Sequence, residues 1–212
     1  MKIHETSTPV VIVNCKLGAL GIMRSLGSQN IPTYGVDADR RSPGMLSKYC
    51  KDKFLMGLNE NNGAEFLDYL LRIGEGLGRP SILIPTSDET SVFVAENAAE
   101  LKKRFIFPLT SPDLMKALIS KKEMYYLAKK HNVPTAYTEF PESIADVKEY
   151  IRNAKLPVMV KGIFGNRLQE RTGTKMVIAN TAEELIHYYK LLEDPEVPNI
   201  MLQEYIPGGD DQ

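Results

Sequence analysis

With 212 residues, 43% of them hydrophobic and 25% charged, the chain has an ordinary globular composition and enough length for one large core or two smaller ones. Its 26 basic and 27 acidic side chains nearly cancel, which argues against general attraction to nucleic acid or to an anionic membrane. Cys15 and Cys50 are the only cysteines and form no CxxC pair, so neither a structural zinc site nor a disulfide framework is supported, and a reducing cytoplasm suits the chain.

The apolar run before Asn14 and Lys16 is too short for a signal-peptide core or a membrane span, and its four β-branched residues, Val10–Val13, read as a strand buried on both faces. Gly18 and Gly21 follow and open a helix carrying Ile22, Met23 and Leu26 at helical spacing. Residues 32–37 read as a second strand ending in the carboxylate of Asp37. A helix over 64–73 presents Phe66, Leu67, Leu70 and Leu71 on one side, and 82–84 form another short buried strand. Repeated strand–helix units of this kind define an α/β class.

Beyond Phe107 the pattern changes. Ser111 caps a helix with Pro112 at its first position, and helical phase continues, with a break at Ser120, to His131 and Asn132, where Pro134 ends it. Residues 136–140 are extended, 143–153 helical with Asp146 completing a capping box, and 158–161 extended. Met176–Ala179 reads as a strand, Thr181 and Glu184 as a second capping box before a helix carrying Leu185, Tyr189 and Leu192, and 200–206 as a final strand.

Three groups of residues can carry chemistry. Gly18 and Gly21, at the opening of a helix, let backbone N–H groups approach an anion; tight strand-to-helix packing accounts for them equally well. GxxG is only part of the GxGxxG dinucleotide fingerprint, although Asp37 sits where a ribose-binding acid belongs. Thr86, Ser87 and Asp88 follow a strand at a helix start, where ligands of open parallel sheets lie; the alternative is a plain helix cap with Glu89 in the first turn. The third group comprises Lys121, Lys161 at the end of an apolar strand, and Gln203, Glu204, Tyr205 and Ile206. A solvated lysine is the ordinary reading of either cation alone.

Taken together, Lys121 with the Val133, Pro134 helix ending, then Lys161 closing its strand, then Gln203 through Gly208, resemble the ATP-grasp enzymes in order and spacing. These use ATP to activate carboxylates. The resemblance implies that Lys121 and Lys161 contact nucleotide phosphates, that Gln203, Glu204, Tyr205 and Ile206 form a hinge holding adenine, and that Asp210 or Asp211 reaches ribose. It implies an α/β fold with a Rossmann-like pre-ATP-grasp domain over 1–110, whose Gly18, Gly21, Thr86, Ser87 and Asp88 face the acceptor substrate. The first, nucleotide-binding subdomain of an ATP-grasp module then occupies 111–212. Carbamoyl-phosphate synthase and D-amino-acid ligases have the nearest-looking organisation. The implied activity is that of a carboxylate-amine or carboxylate-thiol ligase working through an acyl phosphate, with ATP and Mg2+ as cofactors and a small carboxylate plus an amine or thiol as substrates. No nucleic acid or membrane is involved, and a homodimer is admitted.

Two departures from the family pattern stand out. After Lys161 the family has a compact glycine-rich flap over the triphosphate, whereas here Gly162, Gly165 and Gly173 are spread among bulky residues. Arg167, Arg171 or Lys175 can substitute as cationic contacts, or the segment is a mobile solvated loop. Secondly, the family's Mg2+ ligands and catalytic arginine lie downstream of the hinge. The stretch is therefore expected to be inactive alone, to contain no assignable catalytic base, and to leave the hinge strand short of sheet partners. Two other functions compete: an NAD(P)-binding oxidoreductase using Gly18, Gly21 and Asp37, and a non-catalytic nucleotide-sensing module that keeps the hinge.

Overall fold

The computed structural model describes residues 6–59 and 61–208. The chain divides into two compact units, Met1–Met115 and Lys116–Gln212, each with its own core.

In the first unit, β1 (Val10–Val13), β2 (Thr33–Asp37), β3 (Cys50–Leu55), β4 (Ser81–Pro85) and β5 (Phe105–Ile106) form one parallel sheet in the order β3-β2-β1-β4-β5. The helices are α1 (Leu17–Gly27), α2 (Gly63–Gly76), α3 (Asp88–Glu96) and α4 (Ala98–Leu101). The unbroken apolar run of β1 has a direct cause. Val11 and Val13 pack into a cluster with Phe66 and Leu70 of α2 and Phe93 of α3, while Val10 and Ile12 pack with Ala19 and Met23 of α1 and with Met45. Successive residues of a strand face opposite sides, and here both sides are buried. Phe66 and Phe93 meet edge to face at 5.3 Å.

The sequence reading lacked β3, α4 and β5, and of α3 it placed only the start. β3 is an edge strand whose Lys51, Asp52 and Lys53 break any apolar alternation, a composition suited to an unpaired edge. β5 has only two residues.

Next in the chain is α5 (Pro112–Ile119), which spans the division between the units. In the second unit, α6 (Lys121–Lys130) begins at Ser120, whose hydroxyl accepts from Glu123 N at 3.3 Å; that cap is the physical form of the expected break. There follow β6 (Thr138–Glu139), α7 (Ile144–Asn153), β7 (Val158–Gly162), α8 (Gly165–Thr172), β8 (Met176–Ala179), α9 (Ala182–Leu192) and β9 (Ile200–Glu204). The sheet order is β6-β9-β7-β8, with every pair antiparallel.

Two expectations are corrected here. β9 is not short of partners but lies inside the sheet, bonded to β6 and β7, and it ends at Glu204 rather than at 206. The residues after Lys161 are not an irregular loop. They build α8, which packs Leu168 into the core at 1% exposure and ends at Gly173, where φ of +79° is left-handed and suits glycine. The Ser143–Asp146 capping box forms as expected, whereas at α9 the Glu184 carboxylate reaches past Thr181 to Asn180 N at 2.7 Å.

Candidate functional site

Register divides the second sheet into two faces. Val158, Val160, Leu202, Ile200 and Ala179 pack against Val147 and Tyr150 of α7 and Leu185, Tyr189 and Leu192 of α9. Pleating puts Met159, Lys161, Met201, Gln203, Thr138, Met176 and Ile178 on the opposite face, since these residues are cross-strand partners in alternation with the core set. That face is an apolar, thioether-rich bed with one lysine at its end. Met201 is buried, Met159 and Lys161 are half-buried, and Met176 and Ile178 are exposed.

Lys161 Nζ donates to Gln203 Oε1 at 2.7 Å, Gln203 Nε2 donates to Thr138 Oγ1 at 3.0 Å, and Thr138 Oγ1 donates to Ala136 O at 3.0 Å. The relay crosses β7, β9 and β6 and fixes the lysine on the bed. Lys121, first residue of α6, reaches the same end: its Nζ and its backbone N each lie 3.4 Å from Ile163 O. Burial first, then the positive charge of Lys121, lowers the Lys161 pKa from its ordinary range. Two cations held this close create a local field that an anion relieves.

Beside them starts α8. Its N-cap, Phe164, has no side chain able to cap, and a Cβ on Gly165 would stand 3.3 Å from Lys121 Nζ. The segment is held from behind: Phe164 N donates to Asn199 Oδ1 at 2.9 Å, Asn199 Nδ2 donates to Phe164 O at 3.3 Å, and Ile163 N donates to Asn199 O at 2.7 Å. Arg167 donates to Asp194 Oδ2 and Val197 O, and Arg171 to Leu192 O. The two arginines proposed as substitute phosphate contacts are thus engaged within the protein, and Lys175 is exposed ahead of β8. Asn199 is 2% exposed, and each side-chain bond it makes is worth about 1 kcal/mol. Asn199→Ala is expected to lower stability by that order per bond and to speed amide hydrogen exchange across α8, measured by exchange mass spectrometry.

The other hinge residues separate. Glu204 lies on the helix-covered face, where its carboxylate accepts from Tyr137 N at 2.8 Å, so its side chain points away from Lys161. Tyr205 and Ile206 lie beyond β9 and are exposed. Asp210 and Asp211 fall outside the described residues.

In the first unit, a cleft of about 230 Å³ opens at the C-terminal ends of β1, β2 and β4, lined by residues that include Asn14, Lys16, Asp37, Ser87, Glu89 and Thr90. Ser87 is on its wall, while Gly18, Gly21, Thr86 and Asp88 are not. Thr86 instead ties down the end of β1, its hydroxyl donating to Val13 O at 2.9 Å and to Asn14 O. Ser87 is the N-cap of α3 in a capping box with Thr90, so the helix-cap reading holds for it. A Cβ on Gly18 or Gly21 would meet nothing within 4 Å, which removes tight packing as their reason. Asn14 adopts φ of +66°, a conformation asparagine tolerates best among non-glycine residues. Asp37, 4% exposed, accepts from Cys15 N at 2.6 Å and Asp39 N at 2.8 Å, and its Oδ1 lies 3.7 Å from Lys16 Nζ. Both its oxygens are engaged in stapling the loops after β1 and β2, which leaves a poor receptor for ribose hydroxyls.

Among the described residues, no helix is long and apolar enough to cross a membrane. No family model matches the chain, and no curated protein matches it. Solved structures do. An N5-carboxyaminoimidazole synthetase from Staphylococcus aureus, complexed with ADP, aligns over 97% of this chain and 49% of its own at 13% identity and a TM-score of 0.70. The biotin carboxylase domain of the Hydrogenobacter thermophilus 2-oxoglutarate carboxylase, in complex with MgADP, ADP and bicarbonate, aligns over 96% and 45% at 19% identity and 0.62. An L-amino acid ligase from Bacillus licheniformis gives 96% and 45%, 14% and 0.64. The chain spans about half the length of these structures. At such identities the likeness is one of fold, shared over about half the length of these ligase and carboxylase structures.

Proposed function

We propose that this chain carries the acceptor-side domain and one half of the ATP site of an ATP-dependent ligase that joins a carboxylate to an amine or thiol through an acyl phosphate. The observation that carries the reading is the meeting of Lys121 and Lys161 at the end of an apolar sheet face, beside the uncapped start of α8. Ammonium groups neutralise polyphosphate, helix N-termini favour anions, and a flat thioether-lined bed accepts a purine ring. Lys121 and Lys161 hold the phosphates, the backbone of 203–206 meets the adenine edge, and Gln203 orients Lys161 as well as bordering the base. Asp211 contacts ribose.

The sheet order β3-β2-β1-β4-β5 supports a Rossmann-like reading of the first unit, because it matches the first five strands of the doubly wound arrangement. Ligands of such sheets lie at the strand C-termini; Thr86 and Ser87 follow β4 there, Asp88 opens α3, and Gly18 and Gly21 lie in the first two turns of α1. The acceptor site is drawn on that rim, with domains over 1–110 and 111–212. When bound, Mg2+ neutralises charge between phosphate oxygens. Mg2+ enters with the nucleotide, and the stretch by itself binds nucleotide without turnover. Free Cys15 and Cys50 accord with a cytoplasmic protein, and a homodimer completes the proposal.

The fixed α8 also favours a second reading, a nucleotide sensor that holds ATP without closing a flap over it. Calorimetric titration with Mg-ATP and separately with NAD(H) tests the nucleotide assignment. Binding of ATP but not NAD(H) is expected; NAD(H) binding alone would sink it. Formation of ADP on addition of carboxylate and amine to the whole protein separates ligase from sensor.

A further inference from the structure

The hold that Asn199 keeps on the start of α8 depends in turn on Glu193, the residue at which α9 ends. Asn199 stands one position before the last β7–β9 pair, Gly162 with Ile200, and its carbonyl accepts from Ile163 N at 2.7 Å, which carries the ladder one step beyond both strands. Ile163 O then accepts from Lys121 Nζ and Lys121 N, each at 3.4 Å. Behind Asn199, a single carboxylate oxygen of Glu193, Oε1, accepts from Asp194 N at 2.7 Å and from Asn199 N at 2.8 Å. The loop between these two donors is pinned at its middle, where Asp194 Oδ1 accepts from Glu196 N at 3.0 Å. The other Glu193 oxygen, Oε2, is buried and has no hydrogen-bond partner among the described residues. A buried acceptor without a donor costs stability, so packing alone is served better by an uncharged side chain. What the carboxylate supplies is the pair of charge-assisted bonds to Oε1.

We propose that Glu193 is a positioning residue of the nucleotide site, acting through Asn199 and Ile163 on Lys121 and on the first turn of α8. The inference rests on the phosphate role proposed for Lys121 and deepens it by naming what holds that lysine's acceptor in place. Every link is a printed contact of one loop: Glu193 to Asn199 N, Asn199 to Ile163 N and Phe164 N, and Ile163 O to Lys121. The action is mechanical and not electrostatic. Burial and Lys121 lower the Lys161 pKa, without a contribution from Glu193. Truncating Glu193 takes the acceptor from Asn199 N, loosens Asn199, and lets Ile163 O and Phe164 drift from the place where two cations and a helix start converge. A neutral side chain of the same reach keeps the acceptor and therefore keeps the relay.

The test pairs amide hydrogen exchange in the nucleotide-free protein with calorimetric titration by Mg-ATP, for Glu193→Ala, Lys121→Ala and the double variant. Glu193→Ala should speed exchange at Ile163, Phe164 and the first turn of α8, and weaken Mg-ATP binding by about 2- to 30-fold, the span for residues that act on a site without touching its ligand. In the Lys121→Ala background that second loss should largely disappear, because the lysine through which it acts is gone. Glu193→Gln should bind close to the wild type. Glu193→Asp withdraws the carboxylate by one methylene and applies the same test at smaller amplitude should the alanine protein not fold; wild-type exchange and affinity there would count against the relay. Unchanged exchange at the start of α8, unchanged affinity, or losses that simply add in the double variant would overturn the inference and leave the phosphate role of Lys121 standing. If Lys121→Ala itself bound Mg-ATP like the wild type, the phosphate role would fall first and the positioning role with it.

Discussion

Lys161→Ala is expected to weaken Mg-ATP binding by roughly 10- to 100-fold in calorimetric titration, the loss that goes with a hydrogen bond to a charged group worth about 1.5–3 kcal/mol. The side chain has one role that the folded chain itself requires, the 2.7 Å bond to Gln203, and that bond joins two polar groups of modest burial. Stability should therefore change little while affinity falls. Gln203→Ala provides the contrast: it leaves the charge and removes the relay through Thr138, so affinity drops less and the remaining binding becomes more salt-sensitive as the lysine loses its fixed position. If Lys161→Ala bound Mg-ATP like the wild type, the phosphate site would have to lie elsewhere.

The same lysine makes a pH prediction with a definite sign. Folding lowers its pKa below the ordinary 10.5, through burial and then through Lys121. Between the lowered value and 10.5 the unfolded chain binds a proton that the folded chain has released, so this group's contribution to stability rises with pH across that window and is at its most unfavourable below it. A bound polyphosphate restores the charge. Nucleotide binding should accordingly take up protons near the free-protein pKa, and affinity should fall as pH rises through it. Titrations in buffers of different ionisation enthalpy measure the uptake, which should vanish in the Lys161→Ala protein.

How much of this was legible in the sequence depended on where each residue's partners lie. β1 was readable because β-branched residues run without a break where both faces are covered, and the start of α6 because Ser120 and Glu123 make a local cap. α8 was not. Its eight residues contain one apolar side chain, Leu168, and its helix is held by Asn199, Asp194 and Leu192, all more than twenty positions away. The order of Lys121, Lys161 and Gln203 was visible, but the division of labour between Gln203 and Glu204 was not. One step along a strand reverses the face, and only the pairing of Met159 with Gln203 and Val158 with Glu204 decides which side chain meets the lysine. Gly18 and Gly21 caught attention as glycines, whereas the cleft near them is lined by Asn14, Lys16 and Glu89, residue types too common to stand out.

The two faces of the second sheet should respond oppositely to truncation. Leu202 is fully buried on β9, opposite Val160 on β7 and Glu139 on β6, inside the cluster that α7 and α9 cover. Leu202→Ala removes its methyl groups and leaves a cavity that two paired strands cannot close by moving, so the cost should fall at about 2–5 kcal/mol. Against the 5–15 kcal/mol typical of a whole domain, that is a sizeable share of the margin, and urea unfolding should show it as an early transition. Ile178, on the opposite face of the same sheet, is 37% exposed. Truncating it to alanine removes few core contacts, so stability should fall far less than for Leu202→Ala, while ATP affinity falls because the bed beneath the purine is reduced. Leu202→Met, which preserves volume, should recover most of the lost stability. Equal losses of affinity at matched folded fraction for Leu202→Ala and Ile178→Ala would mean that the methionine-lined face is not where the base rests, since only Ile178 belongs to that face.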